Sequence, residues 1–455
     1  MSPTSLADRF EGRNPVELLR QEQGAKAFPI PQDVLSEMTE YTHWIEEQRS
    51  WRETCGMTDF SHHMVDFHVE GPDAVALHAD NSVNNYEDFE VGTAKQIVVT
   101  NPNGYQIGDA ILLRLGENEL MSTGVPMVAN WLQFHHETGD YDVEVERFGR
   151  THEVEGNPEF FRYQLMGPET DNVVDEVTED PLPEIPFFNF REVTIDGHDM
   201  YALRHTMTGR GLELWGDYEH GPALWDHILD AGEEYGIREL GTRAAFGNIS
   251  VVSGWFPLPV PAVYEHEDLQ EFREWLPEDS IEAICPLGGS FKSEDITDYY
   301  VTPVEVGYGR VVSLDHDFVG RDALAGEVEN PDRKPVTLVW DPEDVIDVYA
   351  SLFRGGETNK YIDMPLGAWD SAHYDTVLKD GEQVGLSMWY GYTYNEREML
   401  SEAVVDVEHA EPGTEVTVVW GEENSPKTNV ERHVETEIDA TVAEMPYSED
   451  NRDYY

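Results

Sequence analysis

The chain of 455 residues carries 92 Asp plus Glu against 29 Lys plus Arg, a formal net charge of -63, yet 40% of it is hydrophobic and 11% aromatic, which excludes an unfolded acidic polymer and supports two or three packed domains. The acids are spread along the whole chain and no basic stripe exists to release counterions, so nucleic acids and anionic membranes are excluded as partners. No apolar run reaches membrane-spanning length and no charged and apolar leader opens the chain, so the expected setting is a cytoplasm, and a salt-rich one in which screening relieves self-repulsion.

In chain order, the segment to about Ala27 is polar. Phe28-Pro29-Ile30-Pro31 follows, then an amphipathic helical stretch through Trp44 and Trp51. Phe67-His68-Val69-Glu70 alternates as a strand, and Gly71-Pro72-Asp73 turns it into a helix, with proline at the first position and an acid beside the positive end. A similar phrase recurs as Tyr163-Gln164-Leu165-Met166-Gly167-Pro168-Glu169-Thr170, which predicts two related subdomains. Between the copies, Gln96 to Thr100, a turn at Asn101-Pro102-Asn103-Gly104, Ile107 to Leu115 and a turn at Gly116-Glu117-Asn118 predict antiparallel hairpins. Val125 to His136 predicts a helix and Tyr141 to Val145 another strand. A proline-rich connection, Pro181 to Pro186, precedes a hairpin turning at Asp196-Gly197, and Leu224, Trp225, Ile228 and Leu229 share one helical face. This mixture is the α+β pattern.

Thr302 to Leu324 reads T-P-V-E-V-G-Y-G-R-V-V-S-L-D-H-D-F-V-G-R-D-A-L. Gly307 and Gly309 permit close backbone approach, and Asp315 and Asp317 supply turn and cap chemistry ahead of a helix entered at Gly320-Arg321. Ala325 to Pro335 reads as a linker. Short strands then dominate, including Gly385 to Tyr390 and Gly413 to Val419, predicting a separate C-terminal β-barrel-like domain. Cys55 and Cys285 stand far apart without C-x-x-C spacing, so neither a disulfide framework nor a cysteine metal site is expected. His62-His63 and His135-His136 are adjacent pairs that a strand would point to opposite faces, so no catalytic metal is expected. No G-x-S-x-G elbow, phosphate loop or dinucleotide fingerprint occurs, which disfavours hydrolases, NTPases and Rossmann dehydrogenases.

Several phrases stand in order: Trp51-Arg52-Glu53-Thr54, Ser61-His62-His63-Met64, Ile107-Gly108-Asp109, Ala129-Asn130-Trp131-Leu132, Ser253-Gly254-Trp255, the stretch from Thr302 to Leu324, and Gly391-Tyr392-Thr393-Tyr394-Asn395-Glu396-Arg397. Together, over roughly Glu40 to Trp420, they resemble the glycine-cleavage T-protein (aminomethyltransferase) superfamily, most closely its branch of folate-dependent aromatic O-demethylases. The resemblance implies a T-protein-like folate-binding fold: two related α+β subdomains plus the barrel. The divisions expected are an N-terminal extension (1–30), a folate-binding catalytic region (31–325), a linker (326–335), the barrel domain (336–445) and a mobile acidic tail (446–455).

The cofactor implied is tetrahydrofolate, with a one-carbon group delivered to its N5. The family's carboxylate near N5 and N10 matches Asp109, which read alone is a hairpin-turn aspartate. Gly211-Leu212-Glu213-Leu214 resembles the phrase whose glutamate holds the pterin's guanidine-like edge, a suitable partner for a carboxylate because it offers two parallel hydrogen bonds. Arg243 matches a family arginine near the folate or serves as a structural ion-pair partner. Trp255 and Tyr308 are aromatic walls or core. One of His62 or His63 lines the substrate pocket or is structural. The demethylases carry glutamine, arginine and tyrosine where this chain has Phe60, Val125 and Phe246. Those changes make the pocket more apolar and remove a carboxylate grip and a phenol, which argues against vanillate. The expected partner is a small methylated donor: an ether, a sulfonium or a methylated amine. The alternatives are aminomethyl transfer from a lipoyl carrier protein, as in glycine cleavage, and a non-catalytic folate-binding regulatory or assembly protein.

Overall fold

The computed structural model describes residues 5–22, 40–151, 153–245, 248–257, 259–365 and 372–454. Strand β1 (Cys55–Asp59) starts one sheet, and the chain then leaves it to build a second from β2 (Val65–Glu70), β3 (Ala94–Thr100), β4 (Gln106–Gly116), β5 (Glu119–Gly124) and β6 (Glu144–Phe148), in the order β3-β4-β5-β2-β6. It returns with β7 (Phe160–Met166), β8 (Phe190–Ile195), β9 (His198–Leu203), β10 (Gly211–Asp217) and β11 (Ile237–Glu239) to complete the order β11-β1-β7-β10-β9-β8. A short parallel pair joins β12 (Leu287–Gly288) to β14 (Ala372–His373). The remaining strands, β13 (Arg333–Trp340), β15 (Asp375–Lys379), β16 (Glu382–Thr393), β17 (Glu398–Asp406), β18 (Glu415–Trp420) and β19 (Thr436–Ala443), close a barrel in the order β13-β17-β16-β15-β18-β19.

The repeated glycine-proline phrase falls once in each sheet. At the end of β2, Gly71 has φ +147°, and a Cβ there would lie 2.5 Å from Asp142 O. At the end of β7, Gly167 has φ +119°, with 2.5 Å to Thr54 O. Neither site tolerates a side chain, so both strands break where glycine permits it. The helices after them, Ala74–Asp80 and Thr170–Val177, begin two residues beyond each proline rather than with proline at the first position. In helix Pro126–Thr138 proline is the first residue, and Val125, expected inside the helix, is extended ahead of it, as the residue before proline prefers.

Alternation along β17 ties the barrel to the rest. Met399, Ala403 and Val405 join the barrel core with Val336, Leu338 and Trp340, while Leu400 packs on Val251 and Val252, and Val404 joins the main core around the five-stranded sheet. Five further expectations change. The strand expected at Tyr141 to Val145 is β6, shifted to Glu144–Phe148. The helix entered at Gly320 has that glycine, at φ +90°, as its N-cap, with no side-chain cap from Asp315 or Asp317. Residues 326–335 are not a free linker: helix Arg321–Glu329 and β13 leave only a short turn, because Leu324 and Val336 are both buried. The described part of the N-terminal extension holds two short helices whose Leu6 and Leu19 enter the main core. The C-terminal segment is a docked helix, Glu449–Tyr454, with Asn451 donating to Met207 O at 3.1 Å and Val252 O at 2.8 Å.

Candidate active site

A cavity of about 290 Å³ lies between β4 and β5 of one sheet and β7 and β10 of the other. Residues 250–257, residues 306–310 and the barrel's Pro335 and Trp389 close it. Asp109 enters from β4 and is 6% exposed. Its Oδ2 accepts from Trp255 Nε1 and Tyr308 Oη at 3.0 Å each and from Gln96 Nε2 at 2.6 Å, while Oδ1 accepts from Gln106 Nε2 at 3.1 Å. Burial, the largest influence, raises its pKa, and the four hydrogen bonds draw it back. Every partner is a donor, so the ionised carboxylate accepts from all four. Oδ2 is saturated, whereas Oδ1 has room for a ligand's hydrogen.

Glu213 enters from β10 and is 2% exposed. Arg162 on β7 donates to its Oε1 at 2.8 Å and, through the other terminal nitrogen, to Asp66 Oδ1 at 2.6 Å. The guanidinium also lies 5.6 Å over the Trp215 ring. Strand register makes this possible: Arg162 faces Trp215 and Gln164 faces Glu213 across the β7–β10 ladder, so all four share one side. Burial raises the Glu213 pKa, and Arg162 opposes it. A ligand's hydrogen bonds fall mainly to Oε2.

Phe60, His63 and Val125 line the same cavity with Met64 and Ile111. Phe60 and His63 meet edge to face at 5.4 Å, and burial pulls the His63 imidazole down to about 3, so it is neutral. His62 does not line the cavity: it turns away to Thr151 Oγ1 at 2.8 Å. Arg243 is also elsewhere, donating to Glu40 Oε2 at 3.0 Å and to Met364 O. Phe246 lies outside the described residues. Trp255 and Tyr308, expected as aromatic walls, are also hydrogen-bond donors to Asp109. His135 packs edge-on against Trp131 at 4.3 Å, apart from the cavity. Sequence reasoning passes over Gln96, Gln106, Gln164, Arg162, His205 and Trp389. For Gln96 the hairpin was predicted but its register was not: a bulge between Val99 and Thr100 sets Val98 opposite Asp109, which puts Gln96 on the same face, one pair away.

A family model described as the GCVT N-terminal domain matches residues 20–246. The chain is 38% identical to a syringate O-demethylase of a Sphingobium species over 98% of this chain and 96% of that one. The chain therefore belongs to the glycine-cleavage T-protein family. Within it, similarity extends to a sesamin methylene transferase of a Sinomonas species, 30% identical over 84% of this chain and 83% of that one, and to the aminomethyltransferase of Thermotoga petrophila, 28% identical over 70% and 76%. The fold matches that of the glycine cleavage aminomethyltransferase T from Bartonella henselae, with a TM-score of 0.62 and 18% identity over 91% of each chain.

Proposed function

We propose that this chain transfers a methyl group from a small methylated donor to N5 of tetrahydrofolate, acting as a demethylase. The observation that carries the reading is that Asp109 and Glu213, on different sheets, meet as buried carboxylates in one cavity. The residues fit the cofactor: Glu213 offers Oε2 to a guanidine-like edge, and Asp109 offers Oδ1 to an N–H. When bound, tetrahydrofolate would supply the nucleophilic nitrogen. Asp109 Oδ1 would orient the nitrogen's hydrogen and stabilise the positive charge that develops there, while Trp255, Tyr308, Gln96 and Gln106 fix the carboxylate. Phe60, Met64, Ile111 and Val125 would exclude water at the donor end.

The names of the demethylase and methylene-transferase relatives favour an O-methylated or methylenedioxy arene as donor, and apolar Val125 argues against gripping its carboxylate there. Aminomethyl transfer from a lipoyl carrier is the second reading, supported by the aminomethyltransferase relatives. A non-catalytic folate-binding role is the third, and Asp109, with Oδ1 open toward a ligand, weighs against it. We also assign the folate-binding region to 31–325 and the barrel domain to 336–445, and the dispersed charge of -63 supports a salt-rich cytoplasm. The test is tetrahydrofolate binding in high salt, followed by mass spectrometry of the folate after incubation with a panel of methoxyarenes, sulfoniums and methylamines. A folate heavier by one methyl group is expected with one donor class. Absence of folate binding overturns the reading.

A further inference from the structure

Arg310 stands at the mouth of the cavity, in the short turn Gly309–Val311 that follows Tyr308. It is exposed, and among the described lining residues it is the one Lys or Arg. The structure gives it no ion pair and no side-chain hydrogen bond among the described residues. Arg162 is engaged by Glu213 and Asp66, and Arg243, away from the cavity, by Glu40. Among the described residues Arg13, Arg210, Arg238 and Arg432 are exposed and unengaged as well, but none of them lines the cavity.

We infer that Arg310 receives a carboxylate of the acyl-glutamate tail of the folate, an inference that rests on the folate reading above. Ranked by exposure, the charged groups lining the cavity run from Glu213 at 2% through Asp109 at 6% to the exposed Arg310. A ligand with a guanidine-like head, a reacting nitrogen in the middle and a carboxylate at the far end has the same order. Arg243, matched by resemblance to a family arginine near the folate, is paired with Glu40 and does not line the cavity. The planar guanidinium can take a carboxylate through two parallel bonds. In a chain of net charge -63, a bound anion meets repulsion from most of the surface, so an uncompensated cation beside the entrance has a large relative effect.

The test compares tetrahydrofolate with a tetrahydropterin lacking the benzoyl-glutamate tail, binding each to wild type, Arg310→Ala and Arg310→Lys by calorimetry. Arg310→Ala should weaken tetrahydrofolate roughly tenfold, the loss of one charge-assisted contact, and leave the tetrahydropterin unchanged. Arg310→Lys should recover part of the loss, and the wild-type advantage should shrink as KCl is raised. Equal weakening of both ligands, or unchanged tetrahydrofolate affinity, overturns the assignment. So does unchanged folate affinity combined with weaker binding of a methoxybenzoate, which would give Arg310 to a donor carboxylate instead. If wild type binds neither pterin ligand, the folate reading itself fails, an outcome distinct from a failure confined to Arg310.

Discussion

Asp109 receives four donors and meets no other charged group among its hydrogen-bond partners, an arrangement that only an acceptor can occupy. An amide of the same size can present one oxygen, so its NH2 must face at least one of Trp255, Tyr308, Gln96 or Gln106. Asp109→Asn should therefore lower kcat by about 10² to 10³ while leaving the unfolding midpoint within a few degrees, as expected for a preorganised group at a reacting centre. Steady-state kinetics and thermal unfolding on one preparation check both halves. Activity within a factor of ten of wild type would remove Asp109 from the chemistry. At this scale whole phrases of sequence singled out Asp109 and Glu213, and the structure brings both into one cavity. The sequence was silent on Arg162 and Gln164, because a polar residue on a strand has no meaning until its cross-strand partner is known, and β7 meets β10 only after about fifty residues of intervening chain.

Elements follow the same division. Helix Pro342–Ser351 was not expected among the strands beyond Pro335, although its signals are local: Pro342 at its first position and Asp341 capping the N–H groups of Glu343 and Asp344. The hairpin at Asp196-Gly197 is equally local, since both residues adopt positive φ. Which strands share a sheet is not local: β1 pairs with β7 and β11, far along the chain. Nor does sequence reveal that β17 is buried on both faces. Glu402 lies on its outward face with Leu400 and Val404, fully buried, and neither carboxyl oxygen has a hydrogen-bond partner among the described residues. Thr337, opposite it on β13, also has a buried hydroxyl without a partner among them. Burial holds the Glu402 pKa well above its ordinary 4.5. The folded state therefore binds a proton that the unfolded chain releases, so Glu402's contribution is fully present below the ordinary value and is lost as pH rises toward the raised one. Glu402→Leu should thus stabilise the protein at pH 8 by roughly 2 kcal/mol and by much less near pH 4, read as urea midpoints of mutant minus wild type. An equal gain at both pH values would mean that packing, not protonation, sets the effect.

At the scale of the molecule, the charge of -63 is a property of a folded surface, because the apolar residues fill continuous cores in both sheets and the barrel. Most surface acids have no nearby base, since 29 Lys and Arg cannot neutralise 92 acids even if each found a partner. Their repulsion acts between exposed groups through water, so it depends on ionic strength in a way that hydrogen bonds and burial do not. The Debye length falls from about 10 Å at 0.1 M salt to about 3 Å at 1 M, below the spacing of most surface charges. If repulsion is the main liability, the unfolding midpoint should climb steeply with KCl up to about 1 M and then level, because charges already screened gain nothing from more salt. If stabilisation comes instead from exclusion of solute from the surface, the climb should continue without a plateau and be larger with sulfate than with chloride at equal ionic strength. A midpoint that does not move between 0.1 and 2 M KCl would show that this surface is tolerated without screening, and the salt-rich setting would lose its support.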